Sequence, residues 1–178
     1  MNENYFLPGT GKQLDFLIEN LDVKGLSILI MGNGCEEISQ KLLAKGALKV
    51  IIIVEDNDSL LSSRLLLSSS GISVRLMDFD NTDFRGSEFD IVYAQASVSS
   101  KKRNKITKEV YRILKEGGFY CVGEVTSLTK TPPKFITDLW QNSGVSPLHL
   151  EEQEQFYTGK NFNLVKSEDL SYTLKDFI

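Results

Sequence analysis

The sequence predicts an α/β fold: a mostly parallel sheet with helices on both faces. Three observations predict it. Apolar runs of strand length alternate with amphipathic segments from end to end of the 178 residues. The run at 26–31 is almost continuously apolar, as in a strand covered on both faces. Gly32-Asn33-Gly34 then turns the chain into an amphipathic segment, giving the strand–turn–helix order of a nucleotide-type βαβ unit. Alternation with such short connections implies a doubly wound, Rossmann-like sheet with right-handed crossovers. Ligands of such sheets sit beyond the carboxyl ends of the strands.

Residues 1–8 read as a polar arm carrying Tyr5, Phe6 and Pro8. Residues 10–21 form an amphipathic helix with Leu14, Phe16, Leu17, Ile18 and Leu21 apolar and Thr10 placed to cap it. After the first strand and the glycine turn, Ile38, Leu42 and Leu43 recur at helical spacing until Gly46 ends the helix. A β-branched strand at 49–54 stops at Glu55 and Asp56. The next helix, 59–69, carries leucines at 60, 61, 65, 66 and 67 and closes at Gly71. A strand at 72–77 runs into Asp78-Phe79-Asp80, and after a polar loop the strand at 89–94 runs into Gln95.

The helix at 101–115 sets Ile106, Val110, Ile113 and Leu114 on one face, and Gly117-Gly118 releases a strand at 119–125. A helix opening at Thr131-Pro132 is expected to bury Phe135, Ile136, Leu139 and Trp140. A short helix from Ser146-Pro147 to Gly159, a sixth strand at 162–170 and a tail at 171–178 complete the chain. No repeat, linker or low-complexity stretch interrupts it, so 1–178 reads as a single domain. Within it, 1–24 is an N-terminal arm and helix, 25–125 a cofactor-binding core, and 126–178 C-terminal helices and a last strand.

Composition removes several classes of function. A net charge of −4 gives no positive field toward nucleic acid or an anionic membrane. The basic run around Lys101, Lys102, Arg103 and Lys105 has no interleaved aromatics and reads as a solvated helix face. Cys35 and Cys121 lie far apart and one histidine, His149, completes no metal-ligand set, so no metal is expected. Free thiols suit a reducing cytoplasm, the expected location. No apolar run reaches the ~18 residues of a membrane span.

Charge also narrows the ligand. A dinucleotide places its pyrophosphate on a helix N-terminus whose fingerprint has glycine at the sixth position. That position is Glu37, preceded by Glu36, and both carboxylates repel a diphosphate. No Gly-Lys-Ser/Thr follows the turn, so a Walker loop is absent. A nucleoside without phosphates and with a cationic centre, such as S-adenosylmethionine, fits better than NAD or ATP.

Taken together, the motifs resemble those of the class I S-adenosylmethionine-dependent methyltransferases, in the small-molecule, type 11 or UbiE-like branch. The resemblance runs from about residue 8 to residue 174. It rests on the stretch 28–36 around Gly32 and Gly34, on Val54-Glu55-Asp56, on Met77-Asp78-Phe79, on 89–94, and on the 113–118 turn. It implies a cofactor site lined by Gly32, Asn33, Gly34, Glu55, Asp56, Asp78, Phe79 and Gln95. Gly32 and Gly34 would admit the methionine portion to the backbone. Glu55 would accept both ribose hydroxyls. Asp78 would accept the adenine amino group, and Phe79 would offer its N–H and ring. The first motif diverges: Ile30 replaces the family's usual acidic residue and Glu36 its third glycine. The family's seventh strand is expected to be missing: either the fold is trimmed, or the chain is cut, or a partner such as a second copy completes the sheet edge, since an open edge needs covering.

Methyl transfer from a sulfonium leaving group depends mainly on alignment, with a base needed only if the acceptor must lose a proton. Tyr5, Gln95, Glu124 and His149 are candidates near the site, none in a recognisable pair, so no catalytic residue is assigned. His149, beside Glu151 and Glu152, reads as a surface residue. The leading expectation is a methyltransferase acting on a small-molecule acceptor. The rival is a methyltransferase-like binding or assembly module without catalysis.

Overall fold

The computed structural model describes residues 7–177. Its centre is a five-stranded, wholly parallel sheet in the order β3-β2-β1-β4-β5. The strands are β1 (Ser27–Met31), β2 (Lys49–Val54), β3 (Ser73–Leu76), β4 (Phe89–Gln95) and β5 (Leu114–Gly123). Helices α1 (Lys12–Asn20), α2 (Glu36–Ala44), α3 (Asn57–Leu66) and α4 (Arg103–Ile113) connect or precede them. The strand period of two sorts β1 between two cores. Ile28 and Ile30 join Leu14 and Leu17 of α1 and Ile38 and Leu42 of α2. Leu29 and Met31 join Ile106, Val110 and Ile113 of α4. The strand order reverses between β1 and β4, so the crevice beyond their carboxyl ends is the fold's natural ligand site.

Several boundaries differ from the sequence reading for definable reasons. Thr10 does not cap α1; it adopts a left-handed φ of +46°, and Gly11 occupies the cap position. Helix α3 starts at Asn57 because Asp56 caps it, accepting Ser59 N–H at 2.8 Å. Its leucines 61, 65 and 66 are exposed, while Leu67 just beyond it is buried. Strand β5 begins directly after α4, and Gly117-Gly118 lies inside it at a register shift against β4. A Cβ on Gly118 would lie 3.0 Å from the Asp90 carbonyl oxygen, which explains the glycine there better than helix termination does.

The C-terminal third departs most. A two-stranded pair, β6 (Thr126–Ser127) with β7 (Leu148–His149), stands apart from the main sheet. Helix α5 (Lys134–Asn142) buries none of its residues; Phe135 is 70% and Leu139 58% exposed, against the expectation of a packed face. A 3₁₀ turn and α6 (Gln153–Thr158) replace the continuous short helix, with Gly159 ending it as expected. Residues 162–170 form no strand, so neither a sixth nor a seventh strand joins the sheet among the described residues and β5 is its edge. The tail forms a 3₁₀ helix (Ser171–Phe177) that buries Thr173. Among the described residues, no helix is long and apolar enough to cross a membrane.

Two carboxylates tie neighbouring elements together, Asp90 at the start of β4 and Glu109 on α4. Asp90 accepts Ser27 N–H and the Lys115 ammonium, each at 2.8 Å. Glu109 accepts Thr82 N–H at 2.9 Å and Arg112 at 2.6 Å. Burial pushes each carboxyl upward, but these partners outweigh it and hold both below the ordinary values of 3.8 and 4.5. Groups depressed in the fold contribute stability above their unfolded pKa and lose it as pH falls through the folded one. The melting temperature should therefore be flat above about pH 5 and fall progressively below about pH 4.5, with Glu109→Gln flattening part of the fall. A melting temperature unchanged from about pH 6 to about pH 3 would contradict this assignment.

Candidate functional site

The carboxyl ends of β1 to β4 bring most of the sequence-selected residues to one end of the sheet. Gly32, buried, continues β1 with φ +137°, a conformation closed to side chains, and its N–H donates to the Ile53 carbonyl. Ser97, beyond β4, donates to the Met31 carbonyl at 2.5 Å and leaves no room for a Cβ on Gly32. Gly34, at φ +70°, lies under the Leu7 side chain. Asn33 is exposed and donates to Ser59 Oγ at 3.3 Å, tying the turn to α3. Cys35 is fully buried, and burial pushes its thiol up to about 12, so it stays neutral.

Glu36, which stands where the family has its third glycine, opens α2. Its carboxylate accepts the hydroxyl of Ser63, a buried residue on α3, and so joins α2 to α3. Asp56 serves its helix: one oxygen accepts Ser59 N–H and the other Ser59 Oγ, which hold its carboxyl below the ordinary value.

Glu55, Asp78 and Asp80 converge, one oxygen of each lying within 4.8 Å of the others. Glu55 Oε1 accepts the Phe79 N–H at 3.0 Å. Phe79 buries its ring in the α4-side core. Lys102, at the entrance to α4, reaches this cluster, 3.1 Å from Asp80 and 3.7 Å from Glu55. The sequence reading missed Asp80 and Lys102 as site residues. Asp80 shares a strand end with Asp78, which was a usable signal, whereas Lys102 was hidden in a basic run that read as solvated.

Gln95 is the last residue of β4, not a loop residue, and is 1% exposed. Its amide nitrogen donates to the Pro8 and Thr10 carbonyls at 2.8 and 2.9 Å, and its oxygen accepts from Tyr93 OH at 2.6 Å. Gly9 N–H donates to Thr173 Oγ1 at 3.1 Å. Gln95 and Thr173 thus hold the segment before α1 across the ends of β1 and β4.

The other candidate bases are engaged or elsewhere. Glu124, 2% exposed at its side chain, pairs with Arg103 at 2.7 Å and accepts the hydroxyls of Ser99 and Tyr157. Arg103 is therefore buried, which corrects the reading of its run as a solvated face. Burial and the neighbouring Glu124 push the Tyr120 hydroxyl upward, and it has no hydrogen-bond partner. His149 is 13% exposed at its side chain rather than on the surface, and its Nδ1 accepts Glu151 N–H at 3.3 Å. Tyr5 lies outside the described residues.

A parallel 3-2-1-4-5 sheet with a glycine turn after β1 and carboxylates after β2 and β3 is a Rossmann-like arrangement of the kind that class I methyltransferases have. The chain belongs to the methyltransferase-domain family, which matches residues 29–122, more than half its length. Solved structures agree on the fold. An S-adenosylmethionine-dependent methyltransferase from Mesorhizobium loti superposes with a TM-score of 0.71 at 16% identity, covering 92% of this chain and 84% of that one. Geranyl diphosphate methyltransferase in complex with SAM gives 0.73 at 15% identity, covering 90% and 68%. The [4+2]-cyclase SpnF gives 0.74 at 16% identity, covering 92% and 60%. No curated protein matches the chain in sequence. Family membership supports S-adenosylmethionine-dependent methyl transfer as the general function.

Proposed function

We propose that the crevice beyond β1 to β4 binds S-adenosylmethionine and that the protein methylates a small-molecule acceptor in the cytoplasm. The observation that carries this reading is the convergence of Glu55 and Asp78 beside the Phe79 backbone, at the strand ends where ribose and adenine would be read. The residue set fits an adenosine bearing a cation. Three carboxylates supply acceptors and negative potential, Glu36 is engaged with Ser63, and Gly32 and Gly34 present bare backbone. Glu55 would hold the ribose hydroxyls, Asp78 the adenine amino group, and the 32–34 turn the methionine portion, with Asn33, Asp56 and Gln95 shaping the surround. The cofactor supplies a methyl group on a sulfonium leaving group. The protein's part is to bind, orient and exclude water. In this reading 1–178 acts as one domain with its cofactor core at 25–125, and the β5 edge is covered by a second copy or another partner.

The rival reading, a binding module without catalysis, draws on one observation: Glu124, the best-placed carboxylate near β5, is fully engaged by Arg103, Ser99 and Tyr157. Titration calorimetry with S-adenosylhomocysteine separates the two. Micromolar binding is expected, and Glu55→Ala should weaken it by about 1–3 kcal/mol through loss of charge-assisted hydrogen bonds. Unchanged affinity in that variant would take Glu55 out of the site, and repeated silence from the parent protein would favour the module.

A further inference from the structure

Lys102 occupies a position that no part of the proposed binding reading uses. It stands at the N-cap of α4 without a side-chain cap bond, and its side chain is 51% exposed. Instead of extending into solvent, the ammonium turns back to the carboxylates, 3.1 Å from Asp80 Oδ1 and 3.7 Å from Glu55 Oε1. Three carboxylates within 4.8 Å repel one another, and one tethered cation offsets part of that repulsion. The same Glu55 oxygen also accepts the Phe79 N–H at 3.0 Å. One oxygen of the carboxylate assigned to ribose is therefore shared between a backbone donor and, at ion-pair distance, a side-chain cation.

Building on the adenosine site proposed above, we infer that Lys102 is a tethered competitor for Glu55 that sets the affinity of the crevice for its nucleoside. Ribose hydroxyls are neutral donors, and they gain full use of Glu55 only when the ammonium withdraws. Asp80, the nearer partner, gives it a place to withdraw to. The cost of withdrawal is that of an exposed ion pair, which is modest and weakened by salt. A net-neutral nucleoside should therefore bind more tightly as salt rises, the reverse of ordinary attraction between opposite charges. The acidic environment raises the Lys102 pKa, chiefly through Asp80, so the ammonium stays charged across the working range.

The test is calorimetry of the full chain with S-adenosylhomocysteine, a net-neutral zwitterion, at low and high sodium chloride. Lys102→Met keeps the aliphatic stem and removes the charge, and Lys102→Gln provides a second neutral variant. Both should melt with the parent, since the side chain is half exposed. At low salt the neutral variants should bind about two- to fivefold more tightly than the parent, the span expected for an exposed pair. Their affinity should be flat with salt, whereas the parent's should rise. Binding in all three proteins with equal affinity and equal salt slopes would overturn the role of Lys102 and leave the adenosine site standing. Weaker binding in the neutral variants would overturn it too, by making the ammonium a ligand contact. Silence in all three proteins at both salts would remove the adenosine site, and this inference with it.

Discussion

Replacing Arg103 by methionine should destabilise the protein by about 3–5 kcal/mol, the usual result of stranding one member of a buried ion pair. The guanidinium is 6% and the Glu124 carboxylate 2% exposed at their side chains. Arg103 Nε meets both carboxylate oxygens, at 3.0 and 2.7 Å, and Nη2 donates to the Ser146 carbonyl at 2.7 Å. One side chain thus joins α4, the end of β5 and the start of the C-terminal segment. Without it Glu124 keeps only hydroxyl donors, from Ser99 and Tyr157. Converting both residues to methionine should recover part of the loss, because no charge is then stranded. Urea unfolding of the single and double variants reads both effects. A single-variant loss below about 1 kcal/mol would mean that the pair is hydrated rather than buried.

The sheet was legible because its signal is local. Residues 26–31, 49–54 and 89–94 are apolar at every or nearly every position, and only a strand covered on both faces tolerates that. The strand ends were equally legible, since Gly32 breaks an apolar run with a turn residue, and Glu55 and Asp78 end their strands with carboxylates that are costly to bury. What failed depended on partners distant in sequence. The apolar stripe of α5 looks like a core face, yet Phe135 and Leu139 find nothing to pack on among the described residues. Residues 162–170 read as a strand, but pairing is a property of two segments, and one segment's sequence reports only itself. Gln95 read as a polar residue just past its strand, although its two amide donors were matched to the Pro8 and Thr10 carbonyls some 85 residues away. Lys102 and Arg103, adjacent in one basic run, went to two different carboxylate partners, Asp80 and Glu124, which charge counting cannot separate.

The second large effect concerns the turn itself: Gly32→Ala should cost about 2–4 kcal/mol, combining backbone strain with overpacking. A φ of +137° is closed to residues with a Cβ, so the peptide must rotate or remain strained. The added carbon would also lie 3.0 Å from Ser97 Cβ and 3.3 Å from its hydroxyl. Ser97 has little freedom to yield. Its hydroxyl is held by the Met31 carbonyl, and Ala96 before it adopts φ +55° with its N–H on the Gly123 carbonyl. Adding Ser97→Gly to Gly32→Ala removes the steric part and leaves the conformational part, so the double variant should regain a fraction of the loss. The two parts also act differently on binding. Rotation of the 32–33 peptide moves backbone away from where the methionine portion would lie, so affinity for S-adenosylhomocysteine should fall in both variants. Were Gly32→Ala as stable as the parent by chemical denaturation, the left-handed turn would be a conformation the protein does not need, and the backbone cradle built on it would fall.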